Sequence, residues 1–212
     1  MRIIGSMAIA AVLLGGTVAA GAAVVHSRAA AKPAASAHQM KMTMPMGGSA
    51  AKEDLPAADL AQARLATAKY AINLGRAKKD GYSILTQKIP GMGYHFINPS
   101  ITGFDVRRPP ILVYERHDGH WQLGALEWVF PSTPATPPLQ GASYGSFPAA
   151  CHYKDGTFTP EPSAGACPAK SPQSGAAFNF WHPQLVTMHV WIWYPNPAGV
   201  YASMNPLVDA FG

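Results

Sequence analysis

Residues 111–130 read ILVYERHDGHWQLGALEWVF, and the fold prediction starts from them. Two apolar runs, 111–116 and 121–130, flank a polar segment that contains Gly119. Two such runs joined by a short turn with a glycine are typical of an antiparallel β-hairpin. Further apolar runs at 94–97 and 185–194 predict two more strands, so we expect an antiparallel sheet.

A helix is predicted ahead of these strands. Apolar residues recur there at intervals of three or four, which is the period of one helix face. The helix is expected to begin near Asp54 or Asp59 and to end near Asp80, where Gly81 can take the left-handed conformation that stops a helix. The residues of the predicted buried stripe are Ala61, Leu65, Ala68 and Ile72.

These elements predict an α+β fold, in which one N-terminal amphipathic helix packs on the antiparallel sheet. Between Phe130 and Phe178 the chain is rich in Pro, Gly and Ser, which predicts a long loop closed by a disulfide between Cys151 and Cys167. A zinc site on these cysteines is disfavoured, because fifteen residues separate them and only His152 offers a nearby ligand.

Composition is typical of proteins in export compartments. Of the 212 residues, 48% are apolar and only 13% are charged, and the chain contains 20 Gly and 20 Pro. From Asp54 onward eleven Lys and Arg stand against ten Asp and Glu, so this part is nearly neutral and the net charge of +5 belongs mainly to the N-terminal part. A nearly neutral folded part argues against a nucleic-acid partner.

The first 31 residues predict an export signal. Arg2 precedes the uncharged residues 3–25, and small residues that suit a signal peptidase follow. A retained N-terminal anchor is the alternative, because about 20 apolar residues suffice to cross a bilayer. Either way we expect a periplasmic or extracellular protein, or one anchored at the outer face of the membrane. Residues 32–53 predict a disordered Met-rich linker, and residues 54–212 a single globular domain.

The linker contains a candidate copper site. Residues 38–46 read HQMKMTMPM, so methionine occupies every second position after a histidine. In an extended chain this spacing puts the thioethers on one side, and soft thioether sulfur favours Cu(I). Methionine as a filler of an Ala-rich linker is the alternative. The candidate ligands are His38, Met40, Met42, Met44 and Met46.

Titratable residues inside apolar strands form a second candidate metal site. His95 lies in YHFIN, Glu127 in ALEWV and His189 in TMHVW. A carboxylate on a buried strand face must be paired, protonated or bound to a cation. Two imidazoles and a carboxylate suit zinc, copper or iron where strands bring them together. A hydrogen-bonded Glu–His pair, or histidines bonded singly to backbone carbonyls, is the structural alternative.

A second carboxylate, Glu115, lies in the first strand of the hairpin. We expect a three-residue loop that pairs Arg116 with His120, which places Glu115 about 20 Å from Glu127, too far for an acid–base pair. A two-residue turn at 118–119 puts the two carboxylates on opposite faces.

The remaining polar groups of the hairpin are expected at the surface. Glu115 is predicted to be a rim group that faces Arg107 or Arg108. His117 and His120 flank the turn and are predicted to be exposed to solvent.

Four segments together resemble an uncharacterised family of small exported bacterial proteins. They are GMGYHFINP (91–99), LVYE (112–115), LEW (126–128) and HVWIWYPNPAG (189–199). The resemblance covers about residues 60–206 and does not extend to the Met-rich linker. It implies export and a shared domain, and it brings no activity with it.

These observations favour an exported, non-enzymatic domain that binds a transition metal, copper before zinc, through the Met-rich linker, the His/Glu cluster or both. A small-molecule-binding protein or enzyme is the first alternative, with Glu127 and His189 as acid–base groups in an aromatic-lined pocket. A structural envelope protein is the second. A membrane is expected as a partner only through an uncleaved N-terminal anchor.

Overall fold

The computed structural model describes residues 55–209, and most of their regular structure is antiparallel β. Two short helices come first, and nine strands follow them. The helices are α1 (Leu55–Thr67) and α2 (Leu74–Lys79), separated by a 3-10 turn at Ala68–Tyr70. The strands are β1 (Ser83–Ile89), β2 (Gly93–Ile97), β3 (Ile111–His117), β4 (His120–Phe130), β5 (Gly145–Phe147), β6 (Ala150–Tyr153), β7 (Phe158–Pro160), β8 (Phe178–His182) and β9 (Leu185–Val190).

The strands form two sheets. The larger sheet has six strands in the order β1-β2-β3-β4-β9-β5, and the smaller has three in the order β7-β6-β8. Neighbouring strands in both sheets are antiparallel. The small sheet is joined to the edge of the large one, because the amide of Gln87 on β1 donates to the carbonyl of Gly156 at 2.8 Å.

The two faces of the large sheet have different neighbours. One face packs against the helices in the main apolar core, which contains Leu126 and Trp128 of β4. The other face carries the alternate residues of the same strands, and Glu127 and His189 are among them. Because successive strand residues point to opposite faces, the polar residues of β4 and β9 lie on the side away from the helices.

The prediction of an α+β fold with a single packed helix is wrong. The helical part is short and broken, and the region expected to be one long Pro/Gly-rich loop contains strands β5, β6 and β7. These strands have three or four residues each, which is too short to show a clear alternation of apolar and polar residues. The predicted disulfide between Cys151 and Cys167 is confirmed.

The predicted buried stripe of the helix is also wrong. Leu65 is 78% exposed and Ile72 is 83% exposed, whereas Ala63, Tyr70 and Leu74 are buried. The 3-10 turn after Thr67 shifts the helical phase, and the side chain of Asn73 caps a new helix by accepting from the amide of Arg76 at 2.9 Å. The predicted stop at Gly81 is confirmed, with φ +101°.

The central hairpin is confirmed, but its expected three-residue loop is wrong. His117 pairs with His120 across a two-residue turn in which Asp118 and Gly119 both have positive φ. A register shift near Gly124 then adds one residue to β4, so that Glu127 pairs with Ile111. The two-residue turn alone would put Glu127 and Glu115 on opposite faces, and this bulge returns Glu127 to the face that Glu115 occupies.

Candidate metal centre

Three strands of the large sheet bring His95, Glu127 and His189 together. Glu127 on β4 pairs directly with His189 on β9, and His95 reaches Glu127 from β2 across the intervening strand β3. The Oε2 atom of Glu127 lies 3.5 Å from Nε2 of His95 and 3.7 Å from Nε2 of His189. One ligand atom from each residue lies within 4.8 Å of the other two, so this cluster could hold a metal ion.

Burial sets the protonation states of the cluster. It raises the pKa of Glu127 to about 8 and lowers the pKa of His189 to about 4. Burial also lowers the pKa of His95 to about 3, with a further contribution from the neighbouring His189. The distances from Glu127 to the two histidines exceed the roughly 2.7–2.9 Å of a charge-assisted N–H···O bond. Without a cation the three groups are therefore neutral at pH 7.

Several polar atoms of the cluster make no hydrogen bond within residues 55–209. They are Oε2 of Glu127 and both ring nitrogens of His189, and each is completely buried. Leaving such a group without a partner costs about 1–3 kcal/mol. Two of these atoms, Oε2 of Glu127 and Nε2 of His189, lie 3.7 Å apart beside Nε2 of His95, and a cation bound there would give both of them a partner.

Neighbouring side chains hold the two rings in place. The Nδ1 atom of His95 lies 2.8 Å from Oγ1 of Thr86, so a hydrogen bond to the hydroxyl leaves Nε2 directed at Glu127. Metal-binding histidines commonly use their second ring nitrogen in this way, which fixes the ring orientation. His189 stacks on Trp191 with 16° between the ring planes.

The spacing of the ligand atoms suits a small transition-metal ion. Ligands about 2.0–2.2 Å from a tetrahedral ion are about 3.4 Å apart. The two measured separations from Glu127, 3.5 and 3.7 Å, are close to that value. Three ligands leave one tetrahedral position open, as in catalytic zinc sites.

A cavity adjoins the cluster and separates the two sheets. Its volume is about 90 Å³, which is room for several water molecules. Its walls are mainly apolar, and Phe147 and Phe180 contribute aromatic rings. His152 and His182 line the same cavity from the small sheet.

The structure separates the other predicted site residues from this cluster. His38, Met40, Met42, Met44 and Met46 lie outside the described residues. His120 is exposed as predicted, whereas the predicted exposure of His117 is wrong: it is half-buried and stacks on Tyr194.

Glu115 is not the expected rim group. It is 1% exposed, and burial raises its pKa to about 7; Lys88 opposes this rise and Asp209 adds to it, both to a smaller extent. It does not line the cavity. The predicted offset of six residues between Glu115 and Glu127 is wrong, because Glu115 lies four residues along β3 from Ile111, the partner of Glu127.

The polar residues of the cavity that sequence reasoning missed include Thr86, His152 and His182. Thr86 lies on β1, which was not predicted as a strand, and the histidines lie on β6 and β8. One sequence signal was available for His182. Phe178, Phe180 and His182 occupy every second position of β8, so they share one strand face. The aromatic residues Trp191, Trp193, Tyr194 and Tyr201 do not line the cavity.

No protein family, curated protein or solved structure matches this chain. Within the described part of the chain, no helix has the length and apolar character needed to cross a membrane. The disulfide is typical of proteins outside the reducing cytoplasm. The functional assignment therefore rests on the chemistry of the buried cluster.

Proposed function

We propose that this protein is an exported metal-binding protein whose His95, Glu127 and His189 hold one transition-metal ion. The observation that carries the proposal is the convergence of three buried ligand atoms, of which Oε2 of Glu127 and Nε2 of His189 have no hydrogen bond among the described residues. A cation would give each of them a partner, and the ionised carboxylate would offset part of its charge.

Zinc and copper are the ions that fit this ligand set best. Imidazole binds both, and a site of nitrogen and oxygen ligands binds divalent copper more tightly than divalent zinc. The thioether of Met92 lines the same cavity and adds a soft group near the cluster. These features support copper as the preferred ion, and the Met-rich linker is proposed as a second, separate copper ligand.

Metal content of variants tests this function. The full chain and its His189→Ala and Glu127→Gln variants are purified, exposed separately to Zn²⁺ and Cu²⁺, desalted and measured by mass spectrometry of the metals. We expect the zinc content to fall from one equivalent to near zero in both variants. His120→Ala is the matched control, because His120 is exposed and should not change the metal content. Equal zinc in all four proteins would overturn the proposal.

Binding of a small molecule at the metal is the second candidate function. The cavity favours it, because the open coordination position and the apolar walls adjoin each other. A metal there would act as a Lewis acid on an oxygen of the bound molecule. Soaking the zinc-loaded protein with small carboxylates and hydroxamates tests this candidate; a ligand bound to zinc supports it, and binding unchanged in Glu127→Gln contradicts it.

Export is proposed from the disulfide and from the uncharged N-terminal run. Fractionation of producing cells should place the oxidised protein outside the cytoplasm. Recovery of reduced protein from the cytoplasm alone would contradict export.

A further inference from the structure

A second histidine pair lines the cavity from the small sheet. His152 on β6 and His182 on β8 lie on the same sheet face, and their Nε2 atoms are 3.0 Å apart. His152 is 1% exposed, and His182 is half-buried at the end of its strand. Neither residue belongs to the His95 cluster.

Backbone carbonyls fix the protons on both rings. The Nδ1 atom of His152 lies 3.1 Å from the carbonyl oxygen of Leu85, and Nδ1 of His182 lies 2.6 Å from that of Pro183. A carbonyl oxygen only accepts hydrogen bonds, so each Nδ1 carries the proton. In the neutral rings both Nε2 atoms are then bare, and their lone pairs face each other.

Two bare nitrogens at this distance repel each other unless a proton or a metal ion lies between them. A proton carried by one ring and shared with the other is the alternative to a metal ion, and the copper titration below distinguishes the two. Phe180 stacks on His152 at 4.9 Å and 11°, and Phe147 and Phe158 stack on it at about 6 Å. Histidines whose Nδ1–H is held by a carbonyl present Nε2 to metals elsewhere in proteins.

We propose that His152 and His182 bind a second metal ion, monovalent copper, through their Nε2 atoms. The pair offers two neutral ligands and no carboxylate, in aromatic surroundings. The cost of burying an ion rises steeply with its charge, which favours Cu⁺ over divalent ions there. Cu⁺ also accepts two nearly opposite nitrogen ligands.

The geometry requires a small movement. Two nitrogens about 2.0 Å from one ion are at most about 4 Å apart, compared with 3.0 Å in the structure. His182 can provide this opening, since it is half-buried and ends β8. The site contrasts with the His95 cluster, where Glu127 supplies the negative charge that a divalent ion needs.

Anaerobic titration of the full chain with Cu⁺ tests the second site, with ascorbate to keep copper reduced and a chromophoric Cu⁺ chelator as competitor. We expect His182→Ala and His182→Asn each to bind one Cu⁺ fewer than the wild type, with zinc binding unchanged. Any copper held by the Met-rich linker is present in all these proteins, so it cancels in the difference between wild type and variant. His120→Ala is the control and should retain every equivalent.

The outcomes separate this inference from the proposed function. Glu127→Gln should lose zinc and keep the Cu⁺ that depends on His182. If both His182 variants bind as much Cu⁺ as the wild type while remaining folded by circular dichroism, the second site is wrong. If they lose zinc and Cu⁺ together, the cavity holds a single site and the inference is also wrong. If the wild type binds no zinc but still binds the Cu⁺ that depends on His182, only the proposed function is overturned.

Discussion

At the scale of single residues, Glu127 has conflicting requirements in folding and in binding. Glu127 is 5% exposed and lies between two histidines, and its Oε2 atom makes no hydrogen bond within the described residues. Such a residue destabilises the metal-free fold, since a buried polar group without a partner costs free energy. Natural proteins accept this cost at functional sites.

Replacing Glu127 by Met should therefore stabilise the metal-free protein. Methionine has a similar length and no oxygen that needs a partner, so we expect the free energy of unfolding to rise by about 1–3 kcal/mol. Urea denaturation in the presence of a metal chelator measures this free energy. Glu161→Met is the control, because Glu161 lies away from the cavity and should change stability by less than about 0.5 kcal/mol. A loss of stability in Glu127→Met would show that the carboxyl group has a partner in the fold.

The pH dependence of stability gives a second prediction for the same residue. Folding raises the pKa of Glu127 from 4.5 to about 8, so the folded protein keeps a proton that the unfolded chain releases. This contribution to stability falls as pH rises between those values. His95 and His189 have the opposite effect: their contribution to stability rises with pH from about 3 or 4 up to 6.5. Glu115 lowers stability with rising pH as Glu127 does, but its effect ends near pH 7.

Between pH 7 and 8, Glu127 is the one residue among these whose titration still changes the stability. We expect the unfolding free energy of the metal-free protein to decrease over this interval, by at most about 1.4 kcal/mol per pH unit. The decrease should be absent in Glu127→Gln. Chemical denaturation at several pH values measures both proteins, and identical slopes would contradict the raised pKa of Glu127.

At the scale of elements, two glycines with similar backbone angles have different surroundings. Gly93 begins β2 with φ +103°, and a Cβ there would overlap the Glu115 carboxylate and the Tyr114 carbonyl oxygen. Gly119 in the hairpin turn has φ +80° and open space around it. The strand start needs glycine for room as well as for conformation, whereas the turn needs it for conformation alone.

Alanine at these two positions should therefore have unequal effects. Gly119→Ala should cost about 1–2 kcal/mol, which is the usual cost of a left-handed conformation for a residue with a Cβ. Gly93→Ala should cost clearly more, because β2 must shift. It should also weaken zinc binding, because His95 lies only two residues further along β2 and would move with it. Thermal unfolding and zinc titration measure the two effects. Similar losses in both variants would contradict the close contact at Gly93.

The strands that carry the site were predictable, and their register was not. Long apolar runs and a turn at Gly119 indicated β3 and β4, and polar residues within the apolar runs of β2, β4 and β9 indicated His95, Glu127 and His189. The bulge at Gly124 leaves no pattern of its own, yet it decides which face Glu127 occupies. His152 and His182 meet through the pairing of β6 with β8, which are distant in sequence, so the two residues were not associated with the site.

At the scale of the whole described structure, the small sheet closes the cavity, and the disulfide secures the small sheet. Cys151 lies on β6 directly before His152, and its bond to Cys167 closes a loop of 16 residues. The same strand is held to β1 by the hydrogen bond from His152 to Leu85. The covalent and polar links therefore support the same wall of the cavity.

Removing the disulfide should lower stability without abolishing the large sheet. For a loop of this length we expect the double variant Cys151→Ala/Cys167→Ala to lose about 3 kcal/mol. Zinc binding at the His95 cluster should persist, since its three ligands lie on strands of the large sheet. Denaturation and zinc titration at low temperature measure both quantities. Loss of zinc binding by the folded variant would show that the small sheet is needed to form the cluster.

The most direct test of the metal centre is the anomalous scattering of a crystal of the zinc-loaded full chain, recorded on both sides of the zinc absorption edge. The predicted result is a strong peak about 2.0–2.2 Å from Nε2 of His95, Nε2 of His189 and a carboxylate oxygen of Glu127. A zinc peak elsewhere, with these three side chains unchanged and the space between them free of zinc, would contradict the account.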